Sequence, residues 1–200
     1  REDEEAVHLA NVNSAAGASV ALGLRFAGSC CKPACEVLIE QVRELHSLRQ
    51  ACGGRNSRKA EKPTLEACLA ATAIAMSMVM AGSGNLRCLR LLRLLRRRVD
   101  PEVSCGFHMA ISMGIGFLFL GGGRLTLGTS NTAVAALLAS IFPRFPSSTS
   151  DNRYHLQAFR HLYALAAEAR CLEAIDVETG QAALVPIRVD MISRAPSLKK

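Results

Sequence analysis

Gly17-Ala18-Ser19-Val20-Ala21-Leu22-Gly23-Leu24-Arg25-Phe26-Ala27-Gly28 decides the fold once it is laid over two later stretches. These are Ala71-Thr72-Ala73-Ile74-Ala75-Met76-Ser77-Met78-Val79-Met80-Ala81-Gly82 and Ala110-Ile111-Ser112-Met113-Gly114-Ile115-Gly116-Phe117-Leu118-Phe119-Leu120-Gly121. Counted back from the closing glycine, positions 5, 7, 9 and 11 are small in every copy. Gly23, Ser77 and Gly116 share one such slot. Positions 2, 4 and 6 are apolar, with Phe26, Met80 and Phe119 in one of them. Small residues let a neighbouring helix approach closely, and large ones lock against it. Gly28, Gly82 and Gly121 are expected as repeat-turn glycines, each ending its helix at positive φ. Alternation at period two is also a strand signal. The length of the stretches and their richness in Ala and Met, both good helix formers, favour helix.

The glycines are spaced by 54 and 39 residues. The longer interval holds a polar, basic, Gly-rich insertion at 50–63, which reads as a flexible loop. Without about fifteen residues around it, both intervals fall at roughly 39–40, the range of helical-pair repeats. A second helix is expected after each glycine. Pro33 to Gln50 carries Val37, Leu38, Val42, Leu45 and Leu48; Asn85 to Val99 carries Leu86, Leu89, Leu92 and Leu95; Thr129 to Phe142 carries Val134, Leu137, Leu138 and Ile141. Thr129 or Ser130 is the candidate cap of the last, and Pro143 and Pro146 stop it. A unit is thus an apolar inner helix, a glycine turn and a more amphipathic outer helix. Such units cannot bury their apolar faces alone and do so by stacking.

The expected organisation is helical repeats over 1–146, a capping helix within 147–173, and short strands with a frayed tail over 174–200. The fold class is all-α, a helical-pair repeat solenoid or toroid with a short β-rich C-terminal segment. The capping helix is expected over Asn152 to Arg170, with Asp151 as N-cap and Leu156, Phe159, Leu162, Tyr163 and Ala166 as its buried stripe. Strands are expected at Ala174–Val177 and Leu184–Val189, around Glu178-Thr179-Gly180.

Half of the residues are hydrophobic, yet only 4% are aromatic and none is Trp. The formal charge is +7, and the surplus is local. No acidic residue occurs from Ala67 to Val99, where Arg87, Arg90, Arg93, Arg96, Arg97 and Arg98 cluster. Arg and Leu each recur about every three residues there, which places cations on one side of a helix. Arg87, Arg90, Arg93 and Arg97 form a possible docking face for an acidic segment of a partner. A solvated outer face with arginine stems lying along apolar surface is the competing reading. Nucleic acid is disfavoured, because no aromatic is available to stack on bases.

The eight cysteines read as buried, reduced thiols, since the chain is too long and too apolar to need a disulfide framework. That reading favours nucleus and cytoplasm. No Cys-x-x-Cys or His–Cys spacing suggests zinc, so neither a metal nor a cofactor is expected. Gly121-Gly122-Gly123-Arg124 follows a helix and lacks a Lys-Ser/Thr pair, so it reads as a turn and not a phosphate cradle. His108 is expected as a hydrogen-bonded structural group. No nucleophile elbow or other catalytic constellation is present. Ala67–Asn85 and Val103–Gly123 are free of charge and long enough to span a bilayer. Their small and polar residues, and the register they share with Arg25-containing Gly17–Gly28, point instead to buried inner helices without membrane insertion.

These features resemble the proteasome/cyclosome-repeat family. Two stretches are similar to its cyclosome branch, the largest subunit of the anaphase-promoting complex. One is Gly114-Ile115-Gly116-Phe117-Leu118-Phe119-Leu120-Gly121-Gly122-Gly123-Arg124, continuing through Thr126-Leu127-Gly128-Thr129-Ser130-Asn131. The other is Asp151-Asn152-Arg153-Tyr154-His155-Leu156-Gln157-Ala158-Phe159-Arg160-His161-Leu162-Tyr163, followed by Leu165-Ala166-Ala167-Glu168. The basic insertion departs from the pattern, as does Ala169, where a proline is expected. The resemblance implies the C-terminal part of an α-toroid in a mitotic ubiquitin ligase. It implies a non-catalytic scaffold that bridges the cullin–RING module and the tetratricopeptide-repeat subunits near the co-activator. A related repeat subunit of the proteasome regulatory particle is the alternative. A small integral membrane protein is the alternative of another class.

Overall fold

The computed structural model describes residues 2–52, 61–99, 103–142, 144–148, 150–170 and 174–183. Most of the basic insertion, Pro143, the strand expected at Leu184–Val189 and the tail from Ser193 lie outside the described residues. The chain divides into one unit over 1–170 and a second over 171–200.

In the first unit the inner helices are α1 (Glu2–Arg25), α3 (Glu61–Val79) and α5 (Cys105–Leu118). The outer helices are α2 (Lys32–Ala51), α4 (Leu86–Arg96) and α6 (Asn131–Ile141). Helix α3 packs against α1, α2 and α5, and α5 packs against α4. From Ala73 to Ala81 every residue of the α3 region is buried. That enclosure explains why the stretch carries no charge: an ionised group there would be desolvated without a partner.

Local sequence sets the helix boundaries. Pro33 enters α2 in its first turn, where no intrahelical N–H is needed. Asn85 caps α4, its Oδ1 accepting from the N–H groups of Arg87 (3.0 Å) and Cys88 (3.1 Å). Ser104 caps α5, and Ser130, not Thr129, caps α6 by accepting from Ala133 N–H at 3.2 Å. The buried stripe of α4 is Cys88, Leu91, Leu92 and Leu95. That set follows i, i+3, i+4, i+7 and leaves Leu86 64% exposed, contrary to the simpler every-third-leucine expectation. Val37 and Leu138 are likewise exposed.

The three glycine turns share a left-handed backbone conformation, and the first two make like bonds to the next apolar helix. Gly28, Gly82 and Gly121 have φ of 67°, 71° and 56°. Gly28 N–H donates to Met78 C=O (2.8 Å) and Cys30 N–H to Val79 C=O (3.0 Å). One junction later, Gly82 N–H donates to Phe117 C=O (2.9 Å) and Gly84 N–H to Leu118 C=O (2.8 Å). Both pairs join the glycine, and the residue two beyond it, to positions 4 and 3 before the next glycine. The residue two beyond is at positive φ in all three copies: Cys30 (53°), Gly84 (60°) and Gly123 (84°). Small-residue slots pair in the same way. A Cβ on Gly23 would lie 2.8 Å from Cα of Ala75, and one on Gly114 would lie 2.8 Å from Oγ of Ser77. Gly116, in the slot of Gly23 and Ser77, faces open space, and Phe119 is 46% exposed. Close packing at Gly116 was expected; the third inner helix has no fourth beside it among the described residues.

Two features depart from the all-helical expectation. After the glycine turn at Leu120–Gly123, β1 (Leu125–Leu127) pairs antiparallel with β2 (Ala167–Ala169), in register Leu125↔Ala169, Thr126↔Glu168, Leu127↔Ala167. The helix expected to reach Arg170 therefore ends at Ala166. Its body, Asn152–Ala166, is a 3₁₀ helix capped by Asp151, whose Oδ1 accepts from Arg153 N–H at 3.0 Å. At three residues per turn, side chains at i and i+3 eclipse. The inward row is accordingly Gln157, Arg160, Tyr163 and Ala166, with Leu156 and Leu162 half-buried as expected, while Phe159 and Leu165 point outward at 48% and 69% exposure. The chain is thus mostly helical with short two-stranded sheets.

The second unit is a hairpin of β3 (Ala174–Ile175) and β4 (Ala182–Ala183). Asp176 Oδ1 accepts from the N–H groups of Glu178 (2.9 Å) and Thr179 (2.8 Å), which holds its carboxyl below the usual range.

Candidate docking face and glycine junctions

Helix α4 presents its arginines opposite the buried Cys88–Leu95 stripe. Arg87, Arg90, Arg93 and Arg97 are all exposed. Arg87 is forked onto Glu36 of α2, with Nη2–Oε2 at 2.9 Å and Nη1 on Oε1. The pair is solvent-exposed, so water screens it and it adds little to stability. Arg90, Arg93 and Arg97 have no carboxylate partner among the described residues. Between α2 and α4 runs a groove of about 560 Å³, whose lining includes Arg43, His46, Arg87, Arg90, Leu91 and Leu94. A shallower trough of about 310 Å³ continues it past Arg90, Arg93, Leu94 and Arg97.

Arg98 belongs to the same sequence run but serves the interior. Its Nη1 lies 3.3 Å from Oε2 of Glu66, which Arg49 Nε also reaches at 3.0 Å. All three side chains are buried or nearly so, and the Arg98 guanidinium sits 5.1 Å from the Phe107 ring centre. Glu66 is the last carboxylate before the acid-free window, and its single charge is shared by two cations from elsewhere in the chain. His46, beside this network, has Nδ1 buried without a partner. Burial, then the nearby Arg98 charge, holds its pKa below the ordinary histidine value.

The glycine turns gather at one place. Thr126 Oγ1 donates toward both Gly28 C=O (3.1 Å) and Ala81 C=O (3.2 Å). Arg170 Nη1 donates to Gly82 C=O, and its Nη2 is 3.6 Å from Cys30 Sγ. Side chains at Gly28 and Gly82 would collide with the β1 backbone. The β1–β2 ribbon therefore lies across the first two turns, and Gly121 packs on Leu125 of that same strand.

Sequence reasoning missed Thr126, Arg170, Glu66 and Arg160. Arg160 Nη1 donates to the C=O groups of Ser140 (3.0 Å) and Ile141 (3.2 Å) at the end of α6, and its guanidinium stacks 3.6 Å from the Phe145 ring centre. Burial lowers its pKa to about 10. No compositional signal separates such arginines from surface ones. The cysteines are not uniformly buried: Cys105 is exposed, and Cys30, Cys31 and Cys52 are half-buried. Cys35 and Cys88 meet at 3.5 Å between α2 and α4; the shared hydrogen bond draws the Cys35 thiol pKa down and pushes that of Cys88 up. His108 lies edge-on to Phe107, and the hydrogen bond expected of its side chain is not found among the described residues. Among the described residues no group of His, Cys, Asp and Glu could hold a metal ion. The stretch Cys105–Gly123 is long and apolar enough to cross a membrane by length and composition, and Phe107, Ala110, Ile111, Phe117 and Leu118 on it are buried within the unit.

A family model described as the APC1 fifth domain matches residues 1–168. Anaphase-promoting complex subunit 1 of Dictyostelium discoideum is 46% identical over 201 residues, covering 96% of this chain and 9% of that protein. The Homo sapiens protein of the same name is 46% identical over 175 residues, covering 88% and 9%. A negative regulator of mitosis from Emericella nidulans is 43% identical over 177 residues, again 88% and 9%. The chain thus spans about 9% of the length of these relatives.

Proposed function

The chain belongs to the anaphase-promoting complex subunit 1 family, and from that membership we propose that it is a section of a repeat solenoid or toroid acting as a non-catalytic scaffold in cell-cycle ubiquitin ligation. Its repeats span 1–146, with the segment 147–173 capping them. The scaffold holds the cullin–RING module, the tetratricopeptide-repeat subunits and the co-activator in fixed geometry, in the nucleus and cytoplasm. Arg87, Arg90, Arg93 and Arg97 form a face on which an acidic partner segment docks.

The recurrence of two backbone hydrogen bonds at successive glycine turns supports this reading. Gly28 and Cys30 bond to the α3 end as Gly82 and Gly84 bond to the α5 end. The open slot at Gly116 is where a further inner helix would add by the same rule. Such a device fixes the rise from one helix pair to the next, which is what a spacer between large partners requires.

Crosslinking mass spectrometry on the native assembly tests it. Lys32 and Lys62, in the first turns of α2 and α3, are expected to link to other cyclosome subunits. Links confined to proteasome subunits would replace this reading with the related proteasomal one, and recovery of the full-length protein in a membrane fraction would end it.

A further inference from the structure

We infer that the groove between α2 and α4 receives an acidic peptide segment that also buries an apolar side chain, contributed by another subunit of the assembly; this rests on the scaffold reading and specifies its docking face. Three observations carry it.

The first is charge. Arg43 from α2 and Arg90 from α4 stand on opposite walls, and Arg93 and Arg97 extend the line along the continuing trough. Among the described residues no carboxylate lines either cavity. Glu36 engages Arg87 alone, and Glu66 is occupied by Arg49 and Arg98 in the interior. Guanidinium groups held on two walls can fork onto carboxylates on both sides of an entering chain.

The second is the floor. Leu91 is nearly buried, and Leu94 is 54% exposed amid the arginines, shared by both cavities. An exposed leucine ringed by cations suits a ligand with acidic residues around an apolar anchor, the arrangement in which a desolvated centre is bordered by polar contacts.

The third is size and shape. A groove of about 560 Å³ opening into a trough of about 310 Å³ is elongated along α4. The larger volume falls in the roughly 300–1,000 Å³ range of ligand clefts. Among the described residues no aromatic side chain lines either cavity, which removes the stacking platform that single-stranded nucleic acid needs.

The test uses the full-length protein in the assembled complex. The photo-crosslinker p-benzoylphenylalanine replaces Leu94, and the captured segment is sequenced by mass spectrometry. Capture of a subunit segment rich in Asp and Glu with an apolar residue at the crosslinked position is expected. Adding Arg90→Glu with Arg93→Glu should lower the yield at least tenfold. Arg96→Glu, on the same helix but lining neither cavity, should lower it less than twofold. Capture of nucleic acid or of a basic segment, no capture at all, or equal losses for the Arg96 and Arg90/Arg93 variants would overturn the proposal. Recovery of the other subunits with the tagged protein is scored in parallel. An intact assembly without capture removes the groove occupant alone, whereas failure of the wild-type protein to co-purify with those subunits removes the scaffold reading.

Discussion

Glycines at chemically identical positions in the sequence have opposite duties in space. Gly23 lies against the Cα of Ala75, so a methyl group there collides with backbone that cannot yield. Gly23→Ala is expected to destabilise by about 1–3 kcal/mol, the usual cost of overpacking. Gly116 faces nothing within 4 Å in the last turn of α5. Gly116→Ala is expected to stabilise by about 0.5–1 kcal/mol through helix propensity alone. Urea denaturation of both variants checks the pair, and equal effects would contradict the packing described. The sequence showed that these slots are small but not which of them face a neighbour. That depends on where a copy sits in the row, which its own residues do not encode. Cys30 shows a related blind spot. It occupies a left-handed position that glycine fills in the other two copies, and only alignment on Gly28, Gly82 and Gly121 exposes it.

Among the elements, the inner and outer helices were legible because their periodicity and caps are local signals. The 3₁₀ helix was legible as helical but not as 3₁₀, and the difference moved its buried row from an i, i+3, i+4 stripe to strict threes. Arg160 is the residue this change brings inward. It closes the end of α6 by donating to two carbonyls that otherwise have no helical partner. Arg160→Met is expected to cost about 2–3 kcal/mol, since it strands buried acceptors. Arg160→Lys should recover less than half of that, because a point ammonium cannot reproduce the fork or the stacking on Phe145. Thermal unfolding of the two variants measures the difference, and full rescue by lysine would show that charge alone matters. The β1–β2 ribbon was invisible for another reason: three-residue strands carry no period, and their pairing spans about forty residues of chain.

For the first unit as a whole, the Arg49–Glu66–Arg98 cluster ties α2 and α3 to the segment after α4, beside α5. Glu66→Gln removes the charge of the buried carboxylate that Arg49 and Arg98 share and is expected to cost about 1.5–3 kcal/mol in chemical denaturation, the usual worth of a hydrogen bond to a charged group. His46 gives the same region a pH dependence. Its pKa in the folded chain is below the ordinary value of about 6.5. As pH falls through that value the unfolded chain takes up a proton that the folded chain resists, so stability declines toward pH 5. His46→Leu should flatten the decline between pH 7 and pH 5, read as the change in denaturation midpoint. An unchanged slope would assign the acid sensitivity to other groups. The arginine run was legible as a cationic face, but the division of its members was not. Arg98 turns inward, and Arg87 meets Glu36, only because helices distant in sequence bring those carboxylates near.

The bonds that fasten the Gly28 and Gly82 turns to the following apolar helix run between main-chain atoms. Mutations that exchange most side chains along the row, or lengthen the link between an outer helix and the next inner one, leave those atoms in place. A chain of this kind can therefore exchange much of its side-chain wording and still keep the spacing between these helices.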